Sequence, residues 1–312
     1  MNRFIQWLPD RVDGRIRAFA WLSLIAQTTI IATGGAVRLT GSGLGCPTWP
    51  TCTADSLVPT EELGYHSLIE FGNRLMTGVV GIVALVLFVL VWRIRAERRD
   101  LFTLAFIVGA GVVAQAIVGG ITVWTGLNPF IVGFHYVSSL VLVCVSAAFI
   151  VRMNAMPGPR ELAVPGWYAG LTHATTTVLA LTIVFGILTT GSGPHSGDSA
   201  AGRNGFDSEL LEHVHAWPGY ALLALTVVLL IAAWRLKLPT LGWVAVLLAV
   251  EVAQIAVGLY QARNGLPPIA VGVHMVLAAL TAATMTVVVL QLKRPAPTSA
   301  ASEAAPAAAS AR

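Results

Sequence analysis

His135, His215 and His274 stand near the starts of long apolar runs, and an internal duplication ties them together. Ala114-Gln115 through Gly133-Phe134-His135 recurs 139 positions later as Ala253-Gln254 through Gly272-Val273-His274, and Glu70-x-x-Asn73 matches Glu212-x-x-His215. Thr40-Gly41-Ser42-Gly43 is echoed by Thr190-Gly191-Ser192-Gly193. Imidazoles converging from facing helices are a standard way to hold an iron porphyrin in a bundle. In the second half the pair is His215 with His274, read as haem-iron ligands or as buried hydrogen-bonding groups. His213 points roughly away from His215 on a helix, so the repeat selects His215. In the first half the pair is Asn73 with His135. Asparagine is a poor iron ligand, so His135 alone leaves an open position that suits a reacting substrate. Gly133 and Gly272, two residues before their histidines, are expected to let a flat macrocycle approach the backbone.

The remaining candidates each have two readings. Glu70, three residues before Asn73 and on its face, is an acid beside the macrocycle or a partner for Arg74 or a neighbouring helix. His66, seven residues before Asn73, lies on the same face about 10 Å nearer the outside, as a displaced ligand or an interfacial histidine. Arg38, at the end of the first run, pairs a porphyrin propionate or snorkels to the interface. Cys46 and Cys52 close Gly45-Cys-Pro-Thr-Trp-Pro-Thr-Cys52 in an outward loop and are expected to pair, as a structural staple or a redox-active couple. So short a loop gains about 2–3 kcal/mol from closure. Two cysteines fall short of the four ligands of a structural zinc site. Trp49 and the two prolines suggest a rigid lid.

These residues need elements that place them at one depth. The chain is 56% hydrophobic and 11% charged with mean hydropathy +0.76, a membrane composition. Eight runs reach the roughly 20 residues that cross a bilayer, near 17–39, 67–92, 101–124, 131–153, 166–190, 209–235, 239–261 and 267–292. The expected fold is an all-α integral membrane protein: eight transmembrane helices forming two tandem four-helix bundles related by pseudo-two-fold symmetry. The halves span 1–153, with loop 40–66, and 165–292. Arg3, Arg11, Arg15 and Arg17, then Arg93, Arg95, Arg98 and Arg99, then Arg152, Arg160, Arg235, Lys237, Lys293 and Arg294 share one side. Arg38, Arg203 and Arg263 take the other, so both termini are expected in the cytoplasm. A basic start followed by a full-length span predicts no cleaved leader. Residues 293–312, rich in Ala, Pro and Ser, are expected to be a disordered cytoplasmic tail. The charge of +4 calls for no nucleic acid. The location expected is the cell membrane, in contact with lipid.

Arg38-Leu-Thr-Gly-Ser-Gly-Leu-Gly-Cys-Pro-Thr-Trp-Pro-Thr-Cys52, Ile69-Glu-Phe-Gly-Asn-Arg74 and Gly133-Phe-His135 together resemble the haem A synthase family. The resemblance covers about 17 to 292. It implies an oxidoreductase that converts a methyl group of haem O to a formyl group by successive hydroxylation, giving haem A for cytochrome oxidase. It further implies haem b on His215 and His274, substrate haem O facing His135 in the first half, and Glu70 near the substrate. Haem O synthase, cytochrome oxidase assembly factors and a second copy of the chain are the partners it suggests. The sequence departs from the family at Asn73, often histidine, in a form similar to actinobacterial members. It also lacks the second cysteine pair that some relatives carry in 191–208. The competing readings are a di-haem, quinone-linked electron carrier, which would want four matched histidines, and a transporter built on repeats.

Overall fold

The computed structural model describes residues 6–296. Among the described residues, eight helices are long and apolar enough to cross a bilayer, making this a multi-pass membrane protein. They are α1 (Gly14–Leu39), α2 (Gly64–Val91), α3 (Arg99–Trp124), α4 (Pro129–Met153), α5 (Gly166–Ser192), α6 (Ser208–Arg235), α7 (Leu241–Arg263) and α8 (Pro268–Leu290). Each expected span is present, displaced by at most a few residues at its ends.

Helix boundaries follow local chemistry. Asp13 caps α1 by accepting the Arg15 and Ile16 amides at 3.0 Å. Asn128 and Asp207 do the same for α4 and α6, while Pro129 and Pro268 occupy first helical positions where a missing amide costs nothing. The duplication is visible in the backbone. Gly126-Leu127 and Gly265-Leu266 all have positive φ, 60°, 59°, 72° and 58°. The Leu127 and Leu266 amides reach back to Thr122 and Gln261 carbonyls at 2.8 Å, closing the ends of α3 and α7 in the same way.

Each helix packs on its sequence neighbour, α1 closes against α4, and α5 closes against α8. The two groups meet through α4 with α8, α1 with α8, and α4 with α5. At that seam Tyr136 Oη donates to the Met275 carbonyl at 2.9 Å, and Ile31, Leu140 and Val143 pack with Ala279 and Ala283.

Apolar cores fill one end of each group. Ile16, Leu87, Leu101 and Phe149 cluster in the first, and Tyr168, Leu229, Leu247 and Val288 in the second. The opposite end, which carries residues 40–63 and 193–207, is hollow. Close to the filled end, β1 (Arg160–Leu162) pairs antiparallel with β2 (Lys293–Pro295), reinforced by Arg294 and Glu161 at 2.9 Å. Residues 293–295, expected as the start of the tail, are therefore strand, because their backbone finds a partner in the α4–α5 connection. Residues 297–312 of that tail lie outside the described residues.

Candidate functional site

The hollow end holds a cavity of about 740 Å³. This falls within the roughly 300–1,000 Å³ typical of cofactor sites. Helices of both halves line it, and Arg38, Glu70, Asn73, His135, His215 and His274 all face it. The two halves thus share a single chamber instead of enclosing separate slots.

His215 and His274 face one another with ring centroids 6.2 Å apart and planes at 82°. Iron–nitrogen bonds of about 2 Å, plus about 1 Å from nitrogen to ring centre, put imidazoles on opposite sides of one iron about 6 Å apart. The spacing fits. His215 Nδ1 lies 2.9 Å from the Thr182 carbonyl. A carbonyl only accepts, so Nδ1 carries the proton and Nε2 keeps its lone pair for the cavity. His274 sits beside the Gln254 carbonyl, while its Nδ1 has no hydrogen-bond partner. Among the described residues no three His, Cys, Asp or Glu side chains cluster to hold a bare ion. Two imidazoles suit an iron whose other four ligands come from a porphyrin.

Glycines on the preceding helices make room for these rings. A Cβ at Gly186 would lie 2.7 Å from His215 Cε1, at Gly258 3.0 Å from His274 Cε1, and at Gly119 3.5 Å from His135 Cε1. Gly119 and Gly258 are repeat partners. Gly133 and Gly272 instead admit Ile187 and Leu39, whose atoms would approach a Cβ there to 2.6 and 3.2 Å. They let helices of opposite halves pack closely; Gly133 also lines the cavity, as expected, whereas Gly272 does not. The sequence signal for the true set was available, since glycine on the preceding helix recurs with the histidine it faces. Gly186→Ala should therefore lose about 1–3 kcal/mol through overpacking against His215. Gly170→Ala, with nothing within 4 Å, should be neutral or gain about 0.5–1 kcal/mol. Melting temperatures of the two variants measure the difference, and equal melting would remove the crowding argument.

In the first half His135 lines the cavity with Nδ1 unpartnered, and Gln115 Nε2 holds its backbone carbonyl at 2.8 Å. Asn73 Oδ1 accepts from Thr33 Oγ1 at 2.7 Å, beside Gly34. That oxygen is engaged on α1, so no second donor faces His135 as His274 faces His215. His66 is not brought to the cavity: its Nδ1 bonds Ser42 Oγ at 2.8 Å and its ring stacks on Tyr65 at 4.0 Å. Interfacial packing holds it away, and the displaced-ligand reading loses its geometry.

Cys46 and Cys52 are disulfide-bonded and buried. Glu70 Oε2 accepts the Cys46 amide at 2.7 Å, and Oε1 takes Arg74 Nε at 3.1 Å and Arg74 Nη2 in a short ion pair. Arg74 donates onward to the carbonyls of Thr51 at 3.0 Å, Thr48 at 2.9 Å and Cys46 at 3.1 Å. A buried carboxylate needs such partners. The pair clamps the loop to α2, and Trp49 enters the cavity lining against Gly120, where a Cβ would meet its ring at 2.4 Å. Trp124 fixes Trp49 edge-to-face at 5.4 Å. Arg38 does not snorkel. Its Nε donates to the His195 carbonyl at 2.6 Å and Nη2 to Thr190 at 3.0 Å, tying the first half to loop 193–207. Arg74 as the loop clamp escaped the sequence reading, since its acceptors are backbone carbonyls that no pattern marks.

Comparison with known proteins places these features in a family. The cytochrome oxidase assembly protein model COX15-CtaA matches residues 17–194, more than half the chain. The heme A synthase of Lysinibacillus sphaericus is 37% identical over 141 residues, 45% of this chain and 42% of that protein. Those of Listeria monocytogenes and Bacillus mycoides are 28% identical over 169 residues and 32% over 142. The matches span about half the length of these relatives, 54% for Listeria and 42% for Bacillus. Residues 17–194 contain the clamped cysteine loop, Asn73 and His135 in one continuous match, and on that ground the chain belongs to the COX15-CtaA family of cytochrome oxidase assembly proteins.

Proposed function

We propose that this chain is a haem A synthase, an oxidoreductase of the cell membrane that oxidises a methyl group of haem O to the formyl group of haem A. The observation that carries the reading is the facing pair His215 and His274 at 6.2 Å, opening on the chamber that His135 also lines. His215 and His274 are the residues that would hold haem b, and a bound haem supplies one-electron redox chemistry. His135, on the substrate side, would orient haem O without a facing partner from α2, because Asn73 Oδ1 accepts from Thr33.

The chain's own residues supply position and exclusion of water. Trp49 and the clamped loop cover the chamber. Arg38 lines the chamber and fixes the facing loop, and its charge is suited to a propionate. Glu70 has two roles open to it, proton transfer and loop positioning; with both oxygens engaged, positioning is the better supported. The proposed arrangement is two pseudo-symmetric four-helix halves, residues 1–153 for substrate and 165–292 for haem b. The charge bias supports cytoplasmic termini. Haem O synthase, oxidase assembly factors and a second copy of the chain are candidate partners. A quinone-linked di-haem carrier is less well supported, since His135 lacks a facing imidazole.

Expression in cells that make haem O, followed by chromatography of extracted pigments, should reveal haem A. Unchanged haem O beside folded, haem-loaded protein rejects the activity.

A further inference from the structure

Glu251 on α7 is an acid that the reading above does not use. It is 3% exposed, lines the chamber and has no counterpart in the first half, where the duplication places Val112. Its Oε1 accepts from Thr226 Oγ1 at 2.9 Å, and its Oε2 is buried without a partner. Gly258, the residue facing His274, lies seven positions further along α7. The carboxyl is therefore on the same helix face, about 10 Å deeper from the loop end. Gln254 lies between them, with an unpartnered Oε1 and its carbonyl beside the His274 ring.

The charged surroundings are sparse. Between Glu212 and Arg235, α6 carries no Asp, Glu, Lys or Arg; α8 carries none, and α7 has none besides Glu251 before Arg263. On α5, His173 is exposed and Tyr168 bonds Thr240. Within this half the titratable groups sharing the chamber with Glu251 are His215 and His274, with Glu70, Arg74, Arg38, His135 and Tyr136 lining it from the other half. A carboxyl at membrane depth with one hydroxyl donor and no counter-charge is rare without a function. Coulomb interactions there are weakly screened, so its protonation answers to the charge of whatever fills the chamber.

We propose that Glu251 is a proton-exchange site linked to the redox state of the porphyrin held by His215 and His274. Oε2 takes up one proton from water when a one-electron donor reduces that site, and returns it when the electron leaves. One electron and one proton enter together, so the net charge of the buried region is constant. This rests on the haem-ligand reading of the two histidines.

The test is a dithionite-and-mediator redox titration of the purified, haem-loaded protein at a series of pH values, with redox-difference infrared spectra. In the native protein the midpoint potential should fall as pH rises, because the reduced state holds one more proton, and a carboxyl band should appear on reduction. Glu251→Gln should keep the two-imidazole visible spectrum, lose the band and lose the pH dependence. Should the glutamine variant not retain pigment, Thr226→Val replaces it, with the band and the pH window both displaced. A native potential independent of pH, or variants that leave the pH dependence and the band unmoved, overturns the assignment. A native protein without a two-imidazole spectrum overturns the haem-ligand reading instead.

Discussion

On the proposed function, His215→Ala and His274→Ala should each strip the purified protein of the haem that these rings would hold. The retained pigment should fall by more than about tenfold, since loss of a mere supporting hydrogen bond already costs 10–100-fold at such sites. The argument is geometric. The two rings face one another in the second half at a separation that fits one iron, and the Thr182 carbonyl holds His215 in the tautomer that would ligate it. His213→Ala supplies the control. His213 is exposed and bonds only the Glu209 carbonyl one turn back, so its loss should leave pigment content unchanged. Pyridine haemochrome assay and the visible spectrum of each variant decide the matter. A normal spectrum in His274→Ala would sink the pairing.

Arg74→Ala should release the cysteine loop. It leaves Glu70 as an unpaired buried carboxylate, a change worth about 3–5 kcal/mol where one partner of a buried ion pair is removed. It also abandons the carbonyls of Cys46, Thr48 and Thr51. The disulfide should then react with mild reductant far faster than in the native protein, as read by trapping the freed thiols. Deleting Glu70 and Arg74 together should cost less than the sum of the single changes, because neither charge is then stranded. Glu70→Gln separates the two roles of the acid. Lost turnover with the loop still protected would favour proton transfer, whereas a loosened loop would favour positioning. An Arg74→Ala protein whose disulfide stays as protected as before would show that the loop is held by something else.

The legibility of this protein in its sequence divides along a physical line. Apolar length, caps and basic flanks are local properties, and a bilayer admits few alternatives to a self-satisfied helix, so the eight spans were readable within a few residues. The duplication carried equally well: it singled out His215 over His213 and matched His135 to His274, and all three reach the chamber. Cys46 and Cys52 were readable as a pair because they lie six positions apart in one loop expected on the outward, oxidising side. Glu70 was legible as a buried acid, but which of its readings holds depends on Arg74 and on the Cys46 amide 24 positions away.

Contacts across helices are a different matter, for they depend on helix rotation and axial offset, to which hydropathy is blind. The glycines against the rings were missed for that reason: Gly133 does line the chamber, but the neighbours of the imidazoles sit on the preceding helices. His66 shares a face with Asn73 on an ideal helix, yet Ser42 and Tyr65 hold it outside the chamber. By itself, then, the chain's pattern of apolar runs, turns and repeated histidines determined a duplicated eight-helix membrane protein suited to an iron pigment. Only tertiary packing decided that the halves share one chamber, that Thr182 sets the His215 tautomer, and that Glu251 stands beneath the two rings with one oxygen unpartnered. Those outcomes are set where side chains from distant segments exclude or admit one another.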